Sequence, residues 1–311
     1  MKILFVADIH IKLGQKNVPI EFQKARVMQL AEEINKIPHE YIVIGGDLLD
    51  VAKPTLPEVG LMYEFLHKLD NTGFIIPGNH EMISKKVDCF IHVDNMIADL
   101  GFEVIREFTT TAGIDFIPYN ILHDKTWPSP CSKFCITHIR GEIPPHVQPE
   151  VDLDRFAAYD KVFAGDLHSY TNSQENILYP GSPFTTSFHR SEAKGANGVF
   201  IIDSDTGEHE WVELFLPQLI KKTVNREEDM VATDYHHTIY ELEGSLEELS
   251  GVKDNKLLSK KVTTNISAPS TLNLQGTRED ELAEYLTNIK NIKDTAPYIS
   301  LYTELVHDTD K

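Results

Sequence analysis

No apolar run in these 311 residues approaches the roughly 20 needed to cross a bilayer as a helix, which argues against transmembrane helices. Cysteine is scarce. Cys89, Cys131 and Cys135 cannot all pair, and Cys131 and Cys135 lack a second Cys/His pair at zinc-site spacing. A disulfide scaffold and a zinc ribbon are therefore excluded, and Cys135, inside Phe134-Cys135-Ile136, reads as a small core residue. Internal repeats and low-complexity tracts are absent. Positive charge is in short supply: 29 Lys and Arg face 48 Asp and Glu, a net charge of −19. A non-specific DNA binder normally shows a basic patch, and an acidic surface repels phosphates over about a Debye length. Either something else supplies positive surface, or the substrate is a small phosphoester. The N-terminus opens directly on the strand-like Lys2-Ile3-Leu4-Phe5-Val6 and lacks the ordered regions of a signal peptide, so the expected location is cytoplasmic.

What the sequence does contain is a set of metal-ligand residue types, each placed after an apolar run. The segments are Asp8-Ile9-His10, Gly46-Asp47, Gly78-Asn79-His80, Thr137-His138 and Gly165-Asp166-Leu167-His168. They supply three carboxylates, one amide and four imidazoles within the first 170 residues. Strand ends on one edge of a sheet converge, so these side chains can line a single cleft. Mixed oxygen and nitrogen donors suit divalent first-row cations. A pair of such cations held about 3.5–4 Å apart clamps the attacking and leaving oxygens of a phosphoester. Asp47 can bridge two cations, Asn79 is a neutral donor, and His80, adjacent to Asn79, suits proton donation or transition-state stabilisation.

The chain reads as alternating strands and helices. Strands are expected at 4–7, 41–44, 73–76, 103–105, 114–118, 134–137 and 161–164, with a hairpin of 198–202 and 211–214. A helix is expected over 20–37 after Pro19, with Ala25, Met28, Ala31 and Ile34 at helical spacing. A second is expected over 57–69, and helical periodicity also marks 87–100. A domain boundary is expected near Leu216-Pro217, giving residues 1–216 and 217–311. In the second part a strand is expected over 237–242, a short helix over 245–249 and another strand over 261–267. Thr277 with Asp280 resembles a capping box opening a helix to about 289, and 298–306 reads as a last strand or helix. Tyr235, His236 and His237 read as surface, and His92 as packed. Periodicity by itself supports only an α/β class.

The ordered set of segments resembles the calcineurin-like metallophosphoesterase superfamily. Tyr179-Pro180-Gly181-Ser182-Pro183, followed by Ser187-Phe188, resembles the corresponding segment of SbcD-type nucleases, the nuclease subunits of a double-strand-break repair complex. The resemblance implies a four-layer α/β/β/α sandwich with a small C-terminal α+β capping domain that touches duplex DNA. It implies two divalent cations, with Asp8, His10, Asp47 and His168 around the first and Asp47, Asn79, His138 and Asp166 around the second. His80 would be the catalytic histidine that binds neither. The family pattern has Gly-His-x-His where this chain has Gly165-Asp166-Leu167-His168. A carboxylate in place of an imidazole favours harder ions, Mn²⁺ first and Mg²⁺ second.

The implied activity is a manganese-dependent DNA exonuclease and endonuclease working with an SbcC-like SMC-type ATPase, as a homodimer, in a bacterial or phage-infected cell. The implied pathway is DNA repair and recombination. Family members continue into a helical segment that binds the ATPase, whereas this chain ends five residues after Val306, and its compactness points to a phage version. Arg140, His189 and Arg190 are candidate phosphate contacts. The rival reading is a stand-alone metallophosphoesterase acting on nucleotides or phosphoproteins, which the acidic charge favours.

Overall fold

The structure, a computed structural model, describes residues 1–188, 197–231, 235–244, 249, 258–262, 277–290 and 292–309. Two compact units are distinguishable: Met1–Leu242 with Lys253–Ser259, and Glu243–Val252 with Lys260–Lys311. The expected boundary at Leu216-Pro217 falls inside the first unit. Residues 217–242 stay with that unit because Thr185 and Leu219 are joined by hydrogen bonds, as are Thr185 and Gln218.

The core of the first unit is built on its two largest sheets. One has six strands in the order His209–Glu213, Gly198–Asp203, Lys2–Val6, Tyr41–Gly45, Gly73–Ile76 and Phe102–Val104. Its four strands from Lys2–Val6 onward are mutually parallel. The other has five, in the order Ile177–Leu178, Lys161–Gly165, Phe134–His138, Ile114–Ile117 and Thr109–Thr111. Parallel strands are covered on both faces and so read as unbroken apolar runs. Ile3, Phe5, Val43 and Ile76 from the first sheet meet Ile114, Phe116, Ile136 and Phe163 from the second in one buried cluster.

Helices cover the outer faces. The helix Ile20–Asn35 follows extended Pro19 and buries Val27, Leu30, Ala31 and Ile34, a stripe at i, i+3, i+4 and i+7. The helix Leu56–Lys68 begins at Thr55, whose N–H donates to Glu58 Oε2 at 2.8 Å, and it buries Leu61, Met62, Phe65 and Leu66. Tyr119–Leu122 and Leu153–Phe156 lie over the second sheet, where Leu122 and Phe156 join its outer cluster. The result is the expected α/β/β/α arrangement.

Three expectations need correction. Residues 87–100 are not one helix but a short strand Val87–Asp88, a turn Cys89–His92 of 3-10 type and a helix Asp94–Asp99. The Asp88 carboxylate caps Phe90 N–H at 3.0 Å and takes a fork from Arg106, which pins a bend where periodicity suggested a helix. His92, expected packed, is exposed on that turn. Tyr235, His236 and His237 are half-buried, with the His237 ring 5.4 Å from that of Phe22. The expected helix at 245–249 and most of the strand at 261–267 lie outside the described residues. Thr277 and Asp280 form the expected box, and the helix Arg278–Glu284 runs into a wider turn, Tyr285–Ile289. A helix Ala296–Thr309 follows.

Candidate metal centre

Every candidate in the five segments follows or ends a strand of the two sheets. Asp8 and His10 follow Lys2–Val6, Asp47 follows Tyr41–Gly45, and Asn79 and His80 follow Gly73–Ile76. From the second sheet, His138 ends Phe134–His138, and Asp166 and His168 follow Lys161–Gly165. Lys2–Val6, Tyr41–Gly45 and Gly73–Ile76 run parallel to one another, as do Phe134–His138 and Lys161–Gly165, so within each sheet their C-terminal ends lie side by side. The chain must turn sharply there to direct side chains inward. Asp8, His10, Asp47 and Asp166 all have positive φ, at 57°, 49°, 51° and 96°. Left-handed backbone is costly for residues with a Cβ and concentrates at functional sites. Gly46 and Gly78 allow the close approach: a Cβ on Gly46 would strike the His138 ring, and one on Gly78 would strike the Asp47 carboxylate.

The donors converge in three groups of atoms lying within 4.8 Å of one another: Asp8, His10 and His168; His10, Asp47 and His80; and Asp8, Asp47 and His138. Asp47 is central. Its Oδ2 lies 3.6 Å from His10 Nε2, 3.5 Å from His138 Nε2 and 3.9 Å from His80 Nε2. His138 donates from Nδ1 to the Gly45 carbonyl at 2.9 Å, which directs Nε2 at Asn79 Oδ1, 3.0 Å away. His10 Nε2 faces His168 Nε2 at 3.1 Å. Two lone-pair donors facing each other need a proton or a cation between them. Asp8 and His138 are fully buried and Asp47 nearly so, and buried charge of this density requires compensation. The residues therefore fit divalent cations.

The titration of the site follows from burial and mutual charge. Burial and the Asp47 charge push the Asp8 carboxyl up to about 7, against the pull of His138 and His10. Burial would raise Asp47 as well, but His138, His10 and His80 together hold it well below the usual carboxylate range. Burial would lower His138 and His10, yet neighbouring carboxylates raise both, His138 strongly. Burial and the charge of His10 push His168 down to about 4, which leaves a neutral imidazole ready to act as a ligand.

Sequence reasoning missed two supporting carboxylates. Glu81 is fully buried and accepts the backbone N–H groups of Asp47 (3.0 Å), Leu49 (2.7 Å) and Gly78 (2.8 Å). It ties the Asp47 loop to the Asn79 loop, and burial beside Asp47 raises it to about 8. Asp50 sets Oδ1 3.3 Å from His10 Nδ1 and Oδ2 2.5 Å from Lys12 Nζ, while its carbonyl accepts from His80 Nδ1 at 2.6 Å. Contacts of this kind orient metal-binding imidazoles. Adjacency to the segments at 46–47 and 78–80 was the available signal. Arg140 does not stand free: it forks onto Asp166. His189 and Arg190 lie outside the described residues.

The calcineurin-like phosphoesterase family model matches residues 1–170. The chain belongs to that family. This calcineurin-like phosphoesterase is thus an enzyme of phosphoester hydrolysis, a family whose fold implies divalent cations, and the groups described above are candidates to hold them. It is 48% identical over 286 residues to a protein of Escherichia phage T5 named "Probable exonuclease subunit 1", covering 88% of each chain. It is 25% identical over 260 residues to the DNA double-strand break repair protein Mre11 of Methanopyrus kandleri, covering 69% of this chain and 57% of that one. Among solved structures, the Pseudomonas putida nuclease MPE matches with a TM-score of 0.34 and 16% identity, over 64% of this chain and 84% of that one. No described helix is long and apolar enough to cross a membrane.

Proposed function

We propose that this phosphoesterase is a two-cation DNA nuclease with exonuclease and endonuclease activity, the nuclease subunit of an SbcCD-like end-processing complex. The observation that carries the reading is the 48% identity spanning 88% of both chains with a phage protein named as an exonuclease subunit. The similarity to an Mre11 protein points the same way. Asp8, His10, Asp47 and His168 would hold one cation and Asp47, Asn79, His138 and Asp166 the other, with Mn²⁺ preferred over Mg²⁺. Bound cations supply charge neutralisation to the phosphoryl group and lower the pKa of water. The chain's own contribution is positioning and proton transfer. His80 is 40% exposed, and its Nδ1–H donates to the Asp50 carbonyl, which turns Nε2 toward the centre, 3.9 Å from Asp47 Oδ2, where it would face the leaving 3′-oxygen. Beside Asn79, a cavity of about 690 Å³ lined by Lys85, Lys86, Tyr119 and His123 offers a path for the strand. Lys86 is paired with Asp124, whereas Lys85 has no such partner among the described residues.

Residues 217–311 form the capping region that contacts DNA in this reading. The net charge of −19 is why an SbcC-like ATPase would have to supply the positive surface. We place the assembly, a homodimer with its ATPase, in the cytoplasm of a bacterial or phage-infected cell. The test is degradation of end-labelled linear duplex DNA with Mn²⁺, against Mg²⁺ and EDTA, with His80→Ala alongside. Degradation requiring Mn²⁺ and His80 is the expected result. The same charge favours one rival, a stand-alone phosphoesterase of nucleotides or phosphoproteins. Hydrolysis of small diesters with duplex DNA left intact, even when an SbcC-like ATPase and ATP are added, would select that rival.

A further inference from the structure

Asp166 stands apart from the other candidate ligands because its carboxylate already has a counter-ion. Arg140 donates from Nε to Oδ2 at 3.0 Å and from Nη2 to Oδ1 at 3.2 Å. The fork is held from behind. The Arg140 N–H donates to Glu150 Oε1 at 3.0 Å, and Glu150 Oε2 accepts from the Tyr119 hydroxyl at 3.0 Å. Asp166 is 6% exposed and Arg140 43%, so the pair closes the rim of the centre. The Oδ1 that accepts from Arg140 also lies 3.9 Å from His138 Nε2, on the side where His138 and Asn79 converge. No grouping of Asp, Glu, Cys and His donors within 4.8 Å includes Asp166 among the described residues. A guanidinium and a divalent cation at His138 therefore call on one carboxylate. An imidazole at this position could not accept such a fork, so the residue types at 140 and 166 are physically linked.

We propose that Arg140 acts as a competing counter-ion at the second cation position, engaging Asp166 and making that cation bind more weakly than the one near His10 and His168. This rests on the two-cation reading above. The consequence is an enzyme whose second position fills only at higher divalent-cation concentration. The guanidinium N–H groups that Asp166 does not engage remain available to a substrate phosphate.

The sign of the effect is what makes the idea testable, because removing a residue from the site should improve binding. Metal-free protein is titrated with Mn²⁺ by calorimetry, with no turnover involved. Wild type is expected to show two classes of site. Arg140→Gln should tighten the weaker class roughly tenfold or more, since a unit charge beside the cation is gone, and leave the tighter class unchanged. Arg140→Lys, which keeps the charge without the fork, should fall between the two. In an Asp166→Asn background, which lacks the shared carboxylate, Arg140→Gln should tighten the weaker class much less than it does in wild type, because only the charge repulsion and not the competition for Asp166 is then relieved, an outcome that a merely structural role for Arg140 would not produce. A weaker or unchanged second class in Arg140→Gln would overturn the proposal. If wild type and both Arg140 variants each take up a single cation, the two-cation reading fails and the proposal fails with it.

Discussion

The two halves of the metal centre differ in how far they satisfy themselves. Around His10 and His168, two ring nitrogens face each other at 3.1 Å, one of them on an imidazole held neutral. Around His138, Asn79 is in contact with the ring and Asp166 is forked by Arg140. The first half is poised for a cation, and the second carries part of its own compensation. Asp47, with one oxygen within 3.6 Å of both His10 and His138, belongs to both. Equal donor counts in a sequence thus need not mean equal affinity, because a neighbouring cation of the protein can occupy a donor first.

The sharpest way to break this comparison is to remove the shared group. Asp47→Ala should lose both cations and all measurable turnover, read by metal content and diester hydrolysis. Retention of one full equivalent would mean the halves do not share it. His80→Ala comes next. Turnover should fall by roughly 10²–10⁴-fold, the usual scale for a general acid, with metal content intact. If the metals left with the imidazole, the assigned role would be wrong.

The frame of the second half can be tested through Glu81, which joins the Asp47 and Asn79 loops. Glu81→Ala leaves three buried backbone donors without their acceptor, and a cost of roughly 3 kcal/mol or more is expected, read from denaturant melts of the metal-free protein. A loss below about 1 kcal/mol would mean the loops are held otherwise.

Proton competition should also distinguish the halves. Burial raises the Asp8 carboxyl to about 7, and neighbouring carboxylates raise His10 and His138. All three hold protons that a cation must displace, so affinity should climb as pH rises from 6 to 8, by about tenfold per unit for each proton released. Asp47, held low, and His168, held at about 4, release none in that window. Calorimetry in buffers of different ionisation enthalpy counts the protons, and a flat profile would contradict these assignments. The smallest effect belongs to Lys85→Ala. The KM for duplex DNA should rise several-fold more than that for a small diester, and the salt slope of binding should drop by about one.

The placement of the candidate residues at strand ends was legible because each follows an unbroken apolar run, and such runs report strands buried on both faces. The helices at 20–35 and 56–68 were legible for the same kind of reason, a stripe of buried residues at helical spacing. Residues 87–100 show where that logic stops. Their spacing is helical, but the contacts of Asp88 with Phe90 and Arg106 bend the chain.

The sequence by itself determined which donors the protein owns, that they stand at strand ends, and that the chain as a whole is acidic. Only the tertiary structure decided how the donors are shared. Asp8 accepts the N–H of Asp166 from 158 residues away, Glu81 reaches Asp47 across 34, and Arg140 takes Asp166 across 26. Partners so distant in sequence leave no periodicity, and electrostatic energies fall with distance in space, not along the chain. Whether a carboxylate meets a metal or a guanidinium is therefore settled by the packing of the two sheets.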